Sequence, residues 1–293
     1  MGVSQARWAV IRSLFRTVGR ASDGIALGFR YGFDSGEMLD YVYENKAKGR
    51  LLVGRALDRI YLNAIGWRAI RGRKELLKRV LLGEVIARAG QGRPVVILDV
   101  AAGPGRYLQD LCLELQVQGR PLNDVTIICR DMDAQGLSWG RRRAEGRALT
   151  NIRYEPGDAC DPASLAEVQP RPDIVVVSGL YELFTDPAPI RRSLLGIHAI
   201  LNPGGTLVFT TQVRHPQLEL IANVLVNREG KPWVMQCREA TTMEGWARAA
   251  GFAVRSTQLE SDGLFAVTTV RGIEAGVPQH NAASPPRQRG GRS

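Results

Sequence analysis

The sequence has little that could hold a metal or a disulfide framework. Its 293 residues include four cysteines and three histidines. Cys112, Cys129, Cys160 and Cys237 are far apart with no C-x-x-C spacing, and the histidines form no cluster, so reduced thiols and no structural zinc are expected. Long apolar runs are also missing, none approaching the roughly 20 residues of a membrane span. Arg7, Arg12 and Arg16 interrupt the apolar residues of the N-terminal segment and leave no signal-peptide core. Ala6 stands where a myristoylation signal wants Ser or Thr. These absences lead us to expect a cytoplasmic protein. No internal repeat is visible.

Acidic residues are scarce at the front. The chain carries a net charge of +10 with 44% hydrophobic residues, enough apolar content for a full core. Residues 1–93 hold 18 Lys and Arg against 8 Asp and Glu, whereas residues 94–293 hold 21 of each, so all of the excess lies in the first third. Such a split suggests that the front meets an anionic surface while the rest does chemistry.

The stretch "ILDVAAGPGRY", residues 97–107, places two glycines after a short β-branched run and before the helical spacing of "RYLQDLCLELQ". Strand, glycine turn and helix open a nucleotide-binding α/β unit. The dinucleotide fingerprint fails, because its third glycine position holds Leu108. Asp99 would repel a pyrophosphate and attract an ammonium group. S-adenosylmethionine carries an ammonium and a sulfonium and no phosphate. A glycine pair alone is equally well an ordinary βα turn.

From residue 94, strand-like runs "VVILDV", "DVTIICR", "NIRYE", "PDIVVVS" and "GTLVFTTQV" alternate with helical stretches, the pattern of a parallel sheet covered on both faces. The end differs: a helix at "TMEGWARAAG" precedes "FAVRSTQLE" and "GLFAVTTVRG", two strands joined by the hairpin signal "SDG". Residues 50–90 show helical spacing at Leu52, Ala56, Leu57, Ile60 and Tyr61, then at Leu77, Val80, Leu81 and Ile86, with a break at "NAIGW". The expected organisation is a basic helical cap over residues 1–92, an α/β domain over 93–272 and a disordered Pro, Gly, Arg and Ser-rich tail over 273–293.

Residues 94–271 resemble the class I S-adenosylmethionine-dependent methyltransferases, whose Rossmann-like seven-stranded sheet ends in a reversed strand. Asp99, Ala101, Gly103 and Gly105 match the first motif of that family. The resemblance implies that Asp131 in "CRDMDAQ" accepts the ribose hydroxyls beside Met132, leaving Asp133 as a helix N-cap. It implies that Asp158 and Ala159 in "EPGDAC" receive the adenine, and that the fourth strand ends at Ser178. "SGLY" is not the Asn-Pro-Pro-Tyr of adenine and glutamine N-methylation, which lowers those substrates. In the front, "GFDSGEMLDYVYENKAKG" and "DRIYLNAIGWRAIRGRKE" resemble the N-terminal segment of a little-characterised family of bacterial proteins assigned as methyltransferases. Some members follow an α/β-hydrolase domain in a longer chain.

Three residues are candidates for the acceptor side. Tyr181 and Glu182 follow the fourth strand, where they could bind or deprotonate an acceptor, or else wall the cofactor pocket and pair with a neighbouring base. His215, in "VRHPQ", is the one histidine near the strand ends, and is either a base or a turn histidine held before Pro216. Cys160 reads as a small packing residue, Arg141, Arg142 and Arg143 as a solvated face, and Trp67 and Trp246 as core anchors.

Methyl transfer from a sulfonium needs alignment and exclusion of water more than a catalytic dyad. The expected activity is therefore methylation of a small-molecule or lipid-like acceptor. A nucleic-acid methyltransferase is less favoured, since aromatics do not interleave with the basic residues. A non-catalytic cofactor-binding protein is disfavoured because no motif residue is lost. The segment "QARWAVIRSLFRTVGRAS", taken as a helix over residues 4–20, sets Arg12, Arg16 and Arg20 on one side and Trp8, Ile11, Phe15 and Val18 on the other. Two fates are open to it: lying in an anionic membrane interface, on the inner membrane face, or packing its apolar stripe on the domain. A mitochondrial targeting segment would look similar in a eukaryotic source.

Overall fold

Residues 3–49, 51–90 and 92–273 are described by the computed structural model. The strands are β1 (Val95–Asp99), β2 (Val125–Asp131), β3 (Ile152–Pro156), β4 (Ile174–Val177), β5 (Thr206–Gln212), β6 (Phe252–Leu259) and β7 (Phe265–Gly272). They form one sheet in the order β3-β2-β1-β4-β5-β7-β6. Strands β1 to β5 pair in parallel, and β7 is antiparallel to both neighbours. The sheet is therefore the expected one, reversed strand included. Every residue of β1, β4 and β5 is buried, which is why these strands read as continuous apolar runs.

The hairpin between β6 and β7 is set by Glu260. Its carboxylate accepts the backbone N–H groups of Asp262 at 2.7 Å, Leu264 at 2.6 Å and Phe265 at 3.2 Å, so the tight turn leaves few donors unmet.

Eleven α-helices accompany the sheet among the described residues. On one face lie α5 (Ile65–Arg88), α6 (Arg106–Val117) and α7 (Ala134–Gly146), where Leu77, Leu81, Leu108 and Leu111 pack with Ile97 and Val176. On the other lie the short α8 (Pro162–Ala166), α9 (Ala188–Ile200) and α11 (Ala240–Ala249), where Leu194, Ile197 and Ala247 pack with Leu98, Val175 and Val177. Because α5 shares the core of the sheet, the helical front is not confined to a cap.

A third apolar cluster joins the remaining helices to the sheet: α1 (Val3–Arg16), α2 (Asp23–Tyr31), α3 (Gly36–Glu44), α4 (Leu51–Leu62) and α10 (Leu218–Val224). Buried Asp58 ties them together, accepting from Ser22 Oγ at 2.6 Å and from the N–H groups of Gly24 and Lys48, both at 2.9 Å, and also from the Tyr41 hydroxyl. Among the described residues no helix is long and apolar enough to cross a membrane.

The structure differs from expectation at several side chains. Helix α1 stops at Arg16, so Val18 falls in a 3₁₀ turn and is exposed, while Trp8, Ile11 and Phe15 pack into the third cluster. Leu52 and Ile60 share the helical spacing of α4 but face outward. Arg141 and Arg143 are not simply solvated: Arg141 donates to the Tyr154 carbonyl at 2.9 Å and Arg143 pairs with Asp40. Trp67 is buried as expected, whereas Trp246 is half-buried under Arg191. The expected disordered tail lies outside the described residues beyond Ile273.

Candidate active site

Parallel strands deliver their carboxyl ends to one edge, and ligands of open α/β sheets bind there. In this chain Asp99 registers with Cys129 and Val176, and Asp131 with Pro156, so the turns after β1, β2, β3 and β4 converge. They surround a cleft of about 220 Å³. Ala101, Gly103, Gly105, Asp131, Met132, Asp158, Ala159 and Ser178 all line it.

The glycine turn is shaped by its two left-handed residues, Gly103 at φ +51° and Gly105 at φ +64°. A Cβ on Gly105 would also lie 2.9 Å from Cys129 Sγ, so both conformation and space require glycine there. Asp131 holds this turn to the second strand: one carboxylate oxygen accepts from Gly103 N–H at 2.8 Å and the other from Asp133 N–H at 2.9 Å. Asp133 caps α7 through Gln135 N–H at 3.0 Å, as expected of it. Asp158 folds its own turn by accepting from Cys160 N–H at 2.7 Å. Burial raises the Cys160 thiol to about 11, which keeps it protonated and unreactive.

Four expected residues are placed elsewhere. Asp99 does not reach the cleft: it is fully buried, accepting from Ala101 N–H at 3.2 Å and from the Tyr107 hydroxyl, and desolvation raises its carboxyl to about 7. Its role is to brace the turn from beneath. Tyr181 turns into the α9 core, where its hydroxyl meets Ser193 Oγ at 3.0 Å, and it does not line the cleft. Glu182 is buried in an ion pair with Arg73 at 3.0 Å. Burial pushes its carboxyl up, against the pull of Arg73.

His215 lines a second cavity, described below, and not the cleft. Its Nδ1 accepts the Gln217 N–H at 3.1 Å, so the neutral ring carries its proton on Nε2 and has no free lone pair. Burial lowers its pKa and favours that neutral form.

Residues outside the motifs complete the cleft. Asp34 from the turn before α3 and Gly36, Leu39, Asp40 and Tyr43 from along α3 cover it, and Arg73 enters from α5. A Cβ on Gly36 would lie 2.9 Å from Pro104 Cδ, so the start of α3 rests on the glycine turn. Asp40 fixes α3 in place through Arg106, at 2.5 and 3.0 Å, and through Arg143. One signal for Arg73 was present in the sequence: it is a cation on the stripe Ile70, Leu77 and Leu81 of α5, all buried. The covering residues of α3 carried no comparable signal, since their contact with the glycine turn is made across the fold.

The family described as "Putative methyltransferase" matches residues 1–272. The chain belongs to that family. It is 40% identical over 261 residues to the Escherichia coli (strain K12) protein YnbC, named as uncharacterized, covering 88% of this chain and 43% of YnbC. The chain thus spans less than half the length of this curated relative. Among solved structures, a Bordetella parapertussis protein superposes with a TM-score of 0.63 at 18% identity, covering 81% of this chain and 79% of that one. The magnesium protoporphyrin IX methyltransferase of Synechocystis PCC 6803, solved with bound SAH, superposes with a TM-score of 0.56 at 10% identity, covering 91% of this chain and 99% of that one. At such identities the likeness is one of fold.

Proposed function

We propose that this methyltransferase-family chain binds S-adenosylmethionine in the cleft and methylates a small-molecule or lipid-like acceptor. The observation that carries this reading is the convergence of Asp131, Asp158 and the Gly103–Gly105 turn on one cleft. Two carboxylates at the ends of neighbouring strands suit a ribose diol and an exocyclic amine, and the acidic turn suits no phosphate. Exposed Met132 and buried Ala159 offer apolar surface for a purine ring. With Asp99 sealed under the turn, the residues that would hold the cofactor are Asp131, Asp158 and the backbone of residues 101–105, with Arg73 available to its carboxylate.

When bound, S-adenosylmethionine supplies a methyl group activated by its sulfonium. The chain's part is to align the acceptor and keep water out. Neither expected base lines the cleft: Glu182 is buried in its pair with Arg73, and the Nδ1 of His215 accepts from Gln217 beside the second cavity. This favours an acceptor that is a competent nucleophile without a protein base, its proton passing to solvent.

Incubating the purified chain with methyl-labelled cofactor and a cell extract divided into lipid, small-molecule, RNA and protein fractions tests the reading. Label should enter the lipid or small-molecule fraction. Label confined to RNA or protein would overturn the acceptor class, and none in any fraction would count against catalysis.

A further inference from the structure

Beneath the N-terminal helices lies a second cavity of about 380 Å³, lined among others by Phe15, Tyr61, Trp67, Ile70, Trp233 and Phe265. Cavities of this size hold drug-sized ligands (~300–1,000 Å³). Two of its lining side chains are buried polar groups with no hydrogen-bond partner. Gln212, 1% exposed at the end of β5, has neither carboxamide atom bonded, and the Trp233 indole N–H is likewise unpartnered. The Cys237 thiol lies beside Gln212 without completing a hydrogen bond of normal geometry. Leaving a buried amide unpaired is costly, a cost that a bound molecule would remove.

The rest of the lining defines the ligand's charge. Among the described residues no Asp, Glu, Lys or Arg faces the cavity, and His215 presents a neutral ring. A charged ligand would lose its hydration here with no counterion in return, while an uncharged one would not.

The cavity also has the right neighbours. Arg73 lines the cofactor cleft, and its guanidinium carbon stands 4.6 Å above the ring of Phe265, which lines the second cavity. One layer of side chains therefore separates the two spaces. Three further lining residues, Leu14, Val18 and Ile60, are exposed, giving the cavity an apolar edge toward the surface.

We propose that this chamber is the acceptor site, and that it takes a neutral, mainly apolar molecule carrying one hydroxyl or amide-like group. That group bonds the Gln212 carboxamide and the Trp233 N–H, while a separate nucleophilic atom at the opposite end takes the methyl from the sulfonium and loses its proton to solvent, the Arg73 and Phe265 side chains parting to admit it. The acceptor role rests on the methyltransferase reading above, whereas the chamber's selectivity does not.

Titration of the full chain with 4-octylphenol, octanoate and octylammonium, followed by tryptophan emission, tests this. Trp67 and Trp233 stack with ring centroids 6.1 Å apart and both line the chamber, so occupancy should change their emission. The neutral phenol should bind saturably and at least tenfold more tightly than either charged ligand. Gln212→Leu should weaken the phenol about tenfold and leave octylbenzene unaffected, with S-adenosylhomocysteine affinity by calorimetry unchanged. Equal binding of the charged ligands, or no binding of the phenol by a chain that binds S-adenosylhomocysteine, would overturn the chamber assignment by itself. Failure to bind S-adenosylhomocysteine would instead overturn the methyltransferase reading and the acceptor role with it. The comparison of ligands on the unaltered chain holds even if the variant misfolds.

Discussion

Arg73 Nη1 lies 3.0 Å from Glu182 Oε1, with both side chains almost wholly buried. The pair joins α5 to the turn after β4 at the boundary between cofactor cleft and apolar chamber. Removing one member of a buried pair leaves the other charge uncompensated, which typically costs about 3–5 kcal/mol. Glu182→Ala should therefore lower the urea midpoint strongly, while Arg73→Met combined with Glu182→Leu should lose much less. Equal losses in the single and double variants would show that the charges are not coupled.

Tyr181 separates packing from chemistry. Its hydroxyl meets only Ser193 in the core, so Tyr181→Phe should cost about 1 kcal/mol and leave turnover unchanged. Tyr181→Ala should cost roughly 3–5 kcal/mol through the cavity it leaves. Urea denaturation and a methyl-transfer assay on both variants check this, and a large loss of turnover in Tyr181→Phe would restore an acceptor role.

The sheet was legible because each of its signals is local. Apolar runs mark β1, β2, β4 and β5, the alternation of "NIRYE" marks β3, and "SDG" marks the hairpin before β7. The turns around Gly103, Asp131 and Asp158 were equally readable, since each follows its strand directly. Side-chain direction was not: Asp99, Tyr181 and Glu182 stand beside strand ends in sequence, yet each turns into the protein toward a partner at Tyr107, Ser193 or Arg73. The chamber escaped the sequence altogether, because its walls come from α1, α4, α5, α10 and β5, brought together only by the fold.

Asp99 should leave a signature in pH dependence. Burial raises its carboxyl from 3.8 to about 7 in the folded chain. Between about pH 4 and pH 7 the native state then holds a proton that the unfolded state has lost, so this group's stabilisation is complete at the acid end and fades as pH rises. Relative to wild type, Asp99→Asn should gain stability steadily from about pH 4 to pH 7. A flat difference in urea midpoints over that range would mean that the carboxyl is not desolvated.

Residues 4–20 bear on the membrane fate that the sequence leaves open. Packing of Trp8, Ile11 and Phe15 onto the domain leaves Val10, Leu14 and Val18 as the exposed apolar residues, beside Arg12, Arg16 and Arg20. Each basic residue near an anionic surface adds about 1 kcal/mol. The chain should sediment with anionic vesicles at low salt, and replacing the three arginines with glutamine should weaken this by roughly a hundredfold. No sedimentation, or sedimentation indifferent to the replacement, would contradict it.

The central claim is that the cleft at the strand ends binds S-adenosylmethionine through Asp131. Calorimetric titration of wild type and Asp131→Ala with S-adenosylmethionine tests it most directly. Wild type should bind one molecule per chain, and the variant should lose roughly 2–3 kcal/mol with the loss of a charge-assisted pair of hydrogen bonds. No heat with wild type, or unchanged affinity in a folded Asp131→Ala, would contradict the account.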